Sequence, residues 1–439
     1  MDQIPLLNHL IIMQTNEVFG VSNEEISTYI QRPKVDALFS DGLTKNKHII
    51  VFGASKQGKT SLTNKHLRPE DYIKINCSPN SNPVDLYKSV LRQIEIEFED
   101  SREVTKTISG EGKAGIKATV KIPFLVSAEA SAEGGGKSAT ESKMAYKKVE
   151  YNLELAQDIS ELLKQVNFKK RIILENFHYL SEDTQKQLAI DLRIFEDYNI
   201  LFIILGIWRE RNRLAQYNGD LLDRMIEVPV EPWEKDDLRK IIVVGSPQLN
   251  VSFDGISEQF IETCFDSVGV FQELCKEACN AANVLETADQ TIVITEDHLK
   301  QAIEKKYRDY SSRHIKCLEA FVEQKSKSSD EVPLYIPYYF IRVLLNEQFE
   351  DVTLGLKRRS LQEKIKEIHH RPDDVRPSDM GYFLQTLVSS QIKKGISPPI
   401  FDFDSSTTSI KVIDSTFYFF LRNCDPSEIA EYIPSPAGI

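Results

Sequence analysis

No apolar run in the chain approaches a membrane span. The longest, Ile200–Trp208, is under half of the roughly 20 residues a spanning helix needs and reads as a buried strand. Basic charge is also short: a formal net charge of −12 over 439 residues argues against coating nucleic acid by bulk electrostatics, while a local basic face stays compatible with it. The six cysteines, Cys77, Cys264, Cys275, Cys279, Cys317 and Cys424, are scattered. Cys275 and Cys279 stand one helical turn apart, but no histidine or second cysteine pair completes a zinc set, so free thiols in a reducing compartment are expected. Met1-Asp2-Gln3-Ile4-Pro5 has no basic stretch ahead of its apolar residues, unlike a secretory signal. No nuclease, protease or deaminase constellation is present. A soluble, cytoplasmic protein without a membrane partner is the expectation.

What the chain does have is alternation. With 41% hydrophobic residues it can bury proper cores, and its length suits about three domains. Strands are expected at His48–Phe52, Tyr72–Asn76, Ile172–Leu174 and Ile200–Gly206, with helices at Asn82–Phe98 and Ser181–Phe195 between them. This rhythm implies a parallel sheet with helices on both faces, and the continuously apolar strands agree. It stops at residues 103–148, where Ile116, Ala118, Val120 and Ile122 alternate with polar residues and Gly134-Gly135-Gly136 marks a return. Period-two patterning predicts an inserted hairpin, serving either as a surface flap or as a contact with another chain.

Residues 53–60, Gly53-Ala54-Ser55-Lys56-Gln57-Gly58-Lys59-Thr60, fit Gly-x-x-x-x-Gly-Lys-Thr at every fixed position. A strand leads in, and Ser61–Lys65 can open a helix behind. Phosphate binding needs this setting, because glycines let the backbone aim several N–H groups at one anion and the helix N-terminus adds partial positive charge. Lys59 is placed to reach the β- and γ-phosphates and Thr60 to ligate Mg²⁺. Hydrolysis also needs an acid at a neighbouring strand end, and Arg171-Ile172-Ile173-Leu174-Glu175-Asn176 supplies Glu175 as the second metal-side group. Asn176 follows where a proton acceptor would serve, and an amide can only position water, so slow hydrolysis is expected.

On these residues the chain resembles the AAA+ and STAND group of P-loop ATPases, close to the origin-recognition and signal-transducing branches. Tyr29-Ile30-Gln31-Arg32-Pro33-Lys34-Val35-Asp36 is similar to the arginine-bearing segment that lines the adenine site. Leu174-Glu175-Asn176-Phe177-His178-Tyr179-Leu180 is similar to the acidic stretch of STAND regulators. Gly206-Ile207-Trp208-Arg209 stands where this group puts a γ-phosphate sensor, with Arg211 and Arg213 competing for that role. Asp220-Leu221-Leu222-Asp223-Arg224 resembles the segment that carries an arginine finger acting across a subunit boundary. Gly269-Val270-Phe271-Gln272 lacks the arginine that often follows the glycine in AAA+ lids, which favours the STAND side. The resemblance implies an α/β fold: a P-loop NTPase core (31–235) behind an N-terminal segment (1–30), with the inserted β-hairpin (103–148), a helical lid (236–312) and a winged-helix-like domain (313–439).

The winged-helix order comes from helical candidates at Ile336–Glu347, Leu361–His369 and Ser378–Lys393, then a hairpin about Asp404–Ser409, all beyond a polar linker at Ser326–Asp330. Lys357-Arg358-Arg359, Lys364, Lys366, His369-His370-Arg371 and Lys393-Lys394 are a candidate DNA footprint, while the acidic hairpin tip favours protein packing. The implied cofactors are ATP, held by Arg32 and by Gly53 to Ser61, and Mg²⁺. The implied partners are further copies of the chain and an effector protein. The implied activity is a slow ATPase acting as a nucleotide switch, with bacterial defence the biological setting suggested by resemblance alone, or else an ATP-dependent DNA loader or transposition- or replication-type regulator.

Overall fold

In the computed structural model, residues 12–21, 26–105, 113–126, 143–323 and 333–436 are described. Met1–Pro5, Gly134–Gly136 and the expected linker at Ser326–Asp330 lie outside them. The strands of the first half are β1 (His48–Phe52), β2 (Tyr72–Asn76), β3 (Glu97–Thr105), β4 (Lys113–Val126), β5 (Lys143–Asn152), β6 (Arg171–Glu175), β7 (Phe202–Gly206) and β8 (Met225–Pro229). Five of them form a parallel sheet in the order β2-β6-β7-β1-β8. β1 and β7 are buried along their whole length, which explains their unbroken apolar sequence. The one polar side chain of β1, His48, is a core group. Its Nδ1 accepts the Phe202 amide at 3.0 Å, its Nε2 faces the Leu192 carbonyl at 2.9 Å, and burial pulls its pKa down to about 4.

The insertion is larger than a hairpin. β3, β4 and β5 make a three-stranded antiparallel sheet in sequence order, with Glu97 opposite Lys121 and Lys117 opposite Asn152. The helix expected at Asn82–Phe98 therefore ends at Gln93, and Glu95 turns the chain at φ 60° before β3 begins.

The lid contains the helices Lys235–Leu249, Ser257–Thr263 and Val268–Ala281 and a short parallel pair, Val251–Ser252 with Ile292–Val293. Val18 and Phe19 of the N-terminal segment join its core. The domain edge expected after residue 312 falls inside one helix, Glu296–Val322. Leu299, Ala302 and Tyr310 pack in the lid core, whereas Leu318 and Phe321 pack in the C-terminal core. A single rod thus joins the two bodies.

Beyond it come helices Ile336–Asn346, Arg358–Ile368, Pro377–Gln385 and Leu387–Lys393, then strands Phe401–Asp404 and Ser409–Val412. The short strand Leu356–Lys357 pairs with the second of these, completing a three-stranded antiparallel sheet beside the helices. Helix Ser415–Asn423 follows and is shared, sending Phe417 and Phe420 into the C-terminal core and Phe419 into the lid.

Candidate nucleotide site

The phosphate loop leaves β1 at Gly53, whose φ of +153° and close approach to Val230 (a Cβ would lie 2.7 Å from its Cγ2) admit only glycine. Gly58, at φ +80°, then caps the helix Lys59–His66. The first intrahelical bond runs from the Leu62 amide to the Gly58 carbonyl at 2.9 Å, so the amides of Lys59, Thr60 and Ser61 precede it and are available to an anion. The Lys59 ammonium lies on the loop's own carbonyls, at 3.0 Å from Gly53 and 2.6 Å from Ala54. Burial lowers its pKa to about 8, against the opposing pull of the Glu231 and Glu175 carboxylates.

Parallel register at the sheet's C-terminal edge brings Glu175 to the loop. Its Oε1 accepts the Thr60 hydroxyl at 3.1 Å and its Oε2 pairs with Lys74 of β2 at 2.5 Å. A hydroxyl and a carboxylate are hard oxygen donors that suit Mg²⁺, an ion that usually takes few protein ligands and completes its shell with phosphate and water. Thr60 and Glu175 thus fit the metal. Asn176 follows in a left-handed turn at φ 60°, beginning the short helical turn Phe177–Tyr179.

Beside the loop lies a cavity of about 220 Å³ lined by Tyr29, Arg32, Gly58, Thr60, Trp233 and Gln272, among others. Asp36 fixes its entry segment, accepting from the Arg32 amide at 2.7 Å and from the Tyr29 hydroxyl at 2.7 Å. Arg32 is thereby held against Trp233, its guanidinium 3.8 Å from the ring centroid, and donates to the Val230 carbonyl at 2.8 Å. Gly269 opens the lid helix against the loop; a Cβ there would lie 2.6 Å from that of Lys56. Gln272 stands further along, donating to Thr28 at 3.0 Å, so the lid offers the cavity an amide rather than a cation.

After β7 the chain folds Trp208 back beneath Gly206, where a Cβ would lie 1.5 Å from the ring, and stacks it on Phe52. This aims Arg209 at Glu231, 3.0 Å away, and over the Tyr418 ring of the C-terminal domain at 5.4 Å. The other Glu231 oxygen accepts the Ala54 amide at 2.7 Å. Arg213 is committed elsewhere, to Asp402 at 2.9 Å, with both side chains largely buried. Arg224 precedes β8, at the opposite end of the sheet from the loop, and pairs with Glu196 at 2.5 Å and Asp197 at 3.0 Å. Within one chain Arg224 does not join this site.

The C-terminal domain seats itself on the loop through Ser55. The Ser55 amide donates to the Ile413 carbonyl at 3.1 Å, its carbonyl accepts the Ser415 hydroxyl at 2.9 Å, and its hydroxyl donates to Asp414 at 3.4 Å. Asp414 is itself buried and paired with Arg313 at 2.5 Å. Around this contact, Glu210 accepts the Ser405 amide of the hairpin tip at 3.0 Å, and Ser397 donates to the Tyr179 hydroxyl at 2.7 Å. Most residues of the candidate DNA footprint make contacts within the chain. Lys357, Arg358 and Lys394 donate to carbonyls, while Arg359 pairs with Glu363, Lys364 with Glu347 and Arg371 with Asp374.

Glu231, Trp233 and the Asp414-Ser415 pair escaped sequence reasoning. The signal that could have found one of them is rarity, since Trp233 is one of two tryptophans and both flank this site.

No protein-family model matches the chain, and no curated protein does. Among solved structures, a Walker-type ATPase of Pyrococcus abyssi is similar at TM-score 0.47 and 13% identity, covering 90% of this chain and 96% of that one. The ORC2 protein of Aeropyrum pernix follows at 0.44 and 11%, covering 96% and 98%. The ORC1 protein of the same organism, in complex with DNA, stands at 0.44 and 11%, covering 93% and 95%. None reaches one half on that scale, and the function is argued from this chain's own geometry.

Proposed function

We propose that the protein binds ATP with Mg²⁺ and works as a slowly hydrolysing switch whose C-terminal domain is clamped to the phosphate loop. One observation carries the switch: Ser55, inside the loop, is bonded to three consecutive residues of that domain, Ile413, Asp414 and Ser415. A triphosphate engages the amides of Lys59 to Ser61 and draws Lys59 off the Gly53 and Ala54 carbonyls. The same few residues therefore feel both ligand and domain, and a difference in their fit to ATP and ADP becomes a difference in domain placement.

Arg32 and Trp233 hold the base, Thr60 and Glu175 hold the metal, and Arg209 senses the terminal phosphate once it leaves Glu231. The metal supplies charge neutralisation on the phosphates. Asn176 orients water without accepting its proton, which keeps turnover slow. Arg224 serves only across a subunit boundary, so its role as a finger requires self-assembly, and the effector protein would read the released domain. A DNA-loading role is the less favoured reading, because the hairpin tip and most of the candidate basic residues already have protein partners.

Titration with a fluorescent ATP analogue and Mg²⁺, followed by limited proteolysis, tests this. Saturable binding should fall about 30-fold or more in Lys59→Ala, as loss of a charge-assisted contact implies. Cleavage between the lid and the C-terminal domain should change with ATP. No binding refutes the nucleotide; binding with unchanged cleavage refutes the switch.

A further inference from the structure

A second cavity, of about 590 Å³, meets the phosphate loop at Gly53. All three bodies wall it: Arg209, Arg211 and Glu231 come from the core, Phe265 and Asp266 from the lid, and Phe349, Tyr418 and Arg422 from the C-terminal domain. We propose that this seam cavity is a regulatory site for a small ligand joining one anionic group to an aromatic ring. The proposal rests on the switch reading above and adds to it the chemistry of the stimulus.

The charge sets the ligand's valence. Lys411 is held by Asp404 at 2.5 Å and Arg209 by Glu231 at 3.0 Å, while Arg211 and Arg422 face Asp266 and Glu350, a near balance of charge that accommodates one anionic group and disfavours a polyphosphate. Among the described residues Arg211 and Arg422 make no ion pair, and the Nε of Arg209 is buried without a hydrogen-bond partner. The ring has a wall of its own, since Phe265 and Phe349 meet across the lid and C-terminal domain at 4.9 Å between centroids. Phe265 and Asp266 are held at φ 51° and 56°, conformations unfavourable for these residues and concentrated at ligand clamps and switch segments.

The site also has a route to the loop. An anion taken by Arg209 competes with Glu231, whose other oxygen holds the Ala54 amide. Occupancy therefore loosens the contact between the loop and the sensor arginine while its ring packs between lid and C-terminal domain.

Benzenesulfonate, an aromatic monoanion, is the probe, with binding read by calorimetry on the full chain. Saturable binding is expected, about tenfold weaker in Arg422→Ala and within about twofold of wild type in Lys59→Ala, since each tenfold is roughly 1.4 kcal/mol. Thr353→Trp, which fills the cavity from its exposed rim, should abolish binding while leaving the affinity for the ATP analogue unchanged. Absence of saturable binding, survival of binding in Thr353→Trp, or loss of it in Lys59→Ala overturns the proposal. The nucleotide reading is judged separately, by whether Lys59→Ala loses ATP.

Discussion

The two halves of the phosphate loop are used in opposite ways. From Gly58 to Ser61 the backbone offers amides that no early helical bond consumes. From Gly53 to Ser55 nearly everything is already engaged, by Lys59, by Glu231 and by the C-terminal domain. An eight-residue motif read as one binding element is thus a binding half joined to a coupling half, and the join lies at Lys56 and Gln57, where the lid helix touches. On the proposed reading a nucleotide that settles in one half has a consequence for the other, because Lys59 belongs to both.

The coupling half can be broken most severely at Asp414. Despite burial, which raises it, the neighbouring His314 and Arg313 and a hydrogen bond from the Thr416 hydroxyl hold the Asp414 carboxyl below its ordinary value, with Arg313 carrying the charge at neutral pH because burial keeps His314 down at about 4. Asp414→Ala leaves Arg313 uncompensated and removes a helix cap, so a loss of about 3 kcal/mol in chemical denaturation is expected, with the C-terminal domain released first. A depressed carboxyl contributes stability that is present above its unfolded pKa and lost as pH falls through the folded one; the clamp should accordingly weaken in acid.

The binding half is sharpened by pH. On the proposed reading Lys59, with its pKa lowered to about 8, binds phosphate as the ammonium, so affinity is full below that value and lost as pH rises through it. ATP-analogue titrations should show about a tenfold loss between pH 7 and pH 9 that Lys59→Arg removes. Trp233→Ala deletes the platform under Arg32 and should weaken the same analogue by about fivefold, in line with a single cation–π contact. The smallest effect belongs to Arg224→Ala, whose pairs with Glu196 and Asp197 lie near the surface and contribute little to the fold. If Arg224 acts across subunits, hydrolysis should fall at high protein concentration and stay unchanged at low concentration.

Much of this was legible in the sequence for a physical reason. Phosphate binding concentrates its requirements in a few consecutive residues, so Gly53 to Thr60 declare themselves, and sheet strands buried on both faces must be apolar throughout. The hidden parts are long-range. Glu231 and Ser55 meet through tertiary packing, and nothing local marks a glutamate as the partner of an amide far earlier in the chain. β3 was missed because Glu97-Phe98-Glu99-Asp100-Ser101-Arg102 is highly charged and gains its strand structure from pairing with β4. The basic residues of the C-terminal domain hide a different feature, since composition cannot show that Lys364 and Arg359 have acidic partners within the chain.

Amide hydrogen exchange with and without ATP and Mg²⁺ tests the central claim most directly. Binding should slow exchange at Lys59, Thr60 and Ser61 and speed it at Ser55, whose amide is released as Ile413 moves away. Slowed exchange in both halves, or no change at Ser55 while Lys59 to Ser61 become protected, would contradict the coupling of nucleotide to domain.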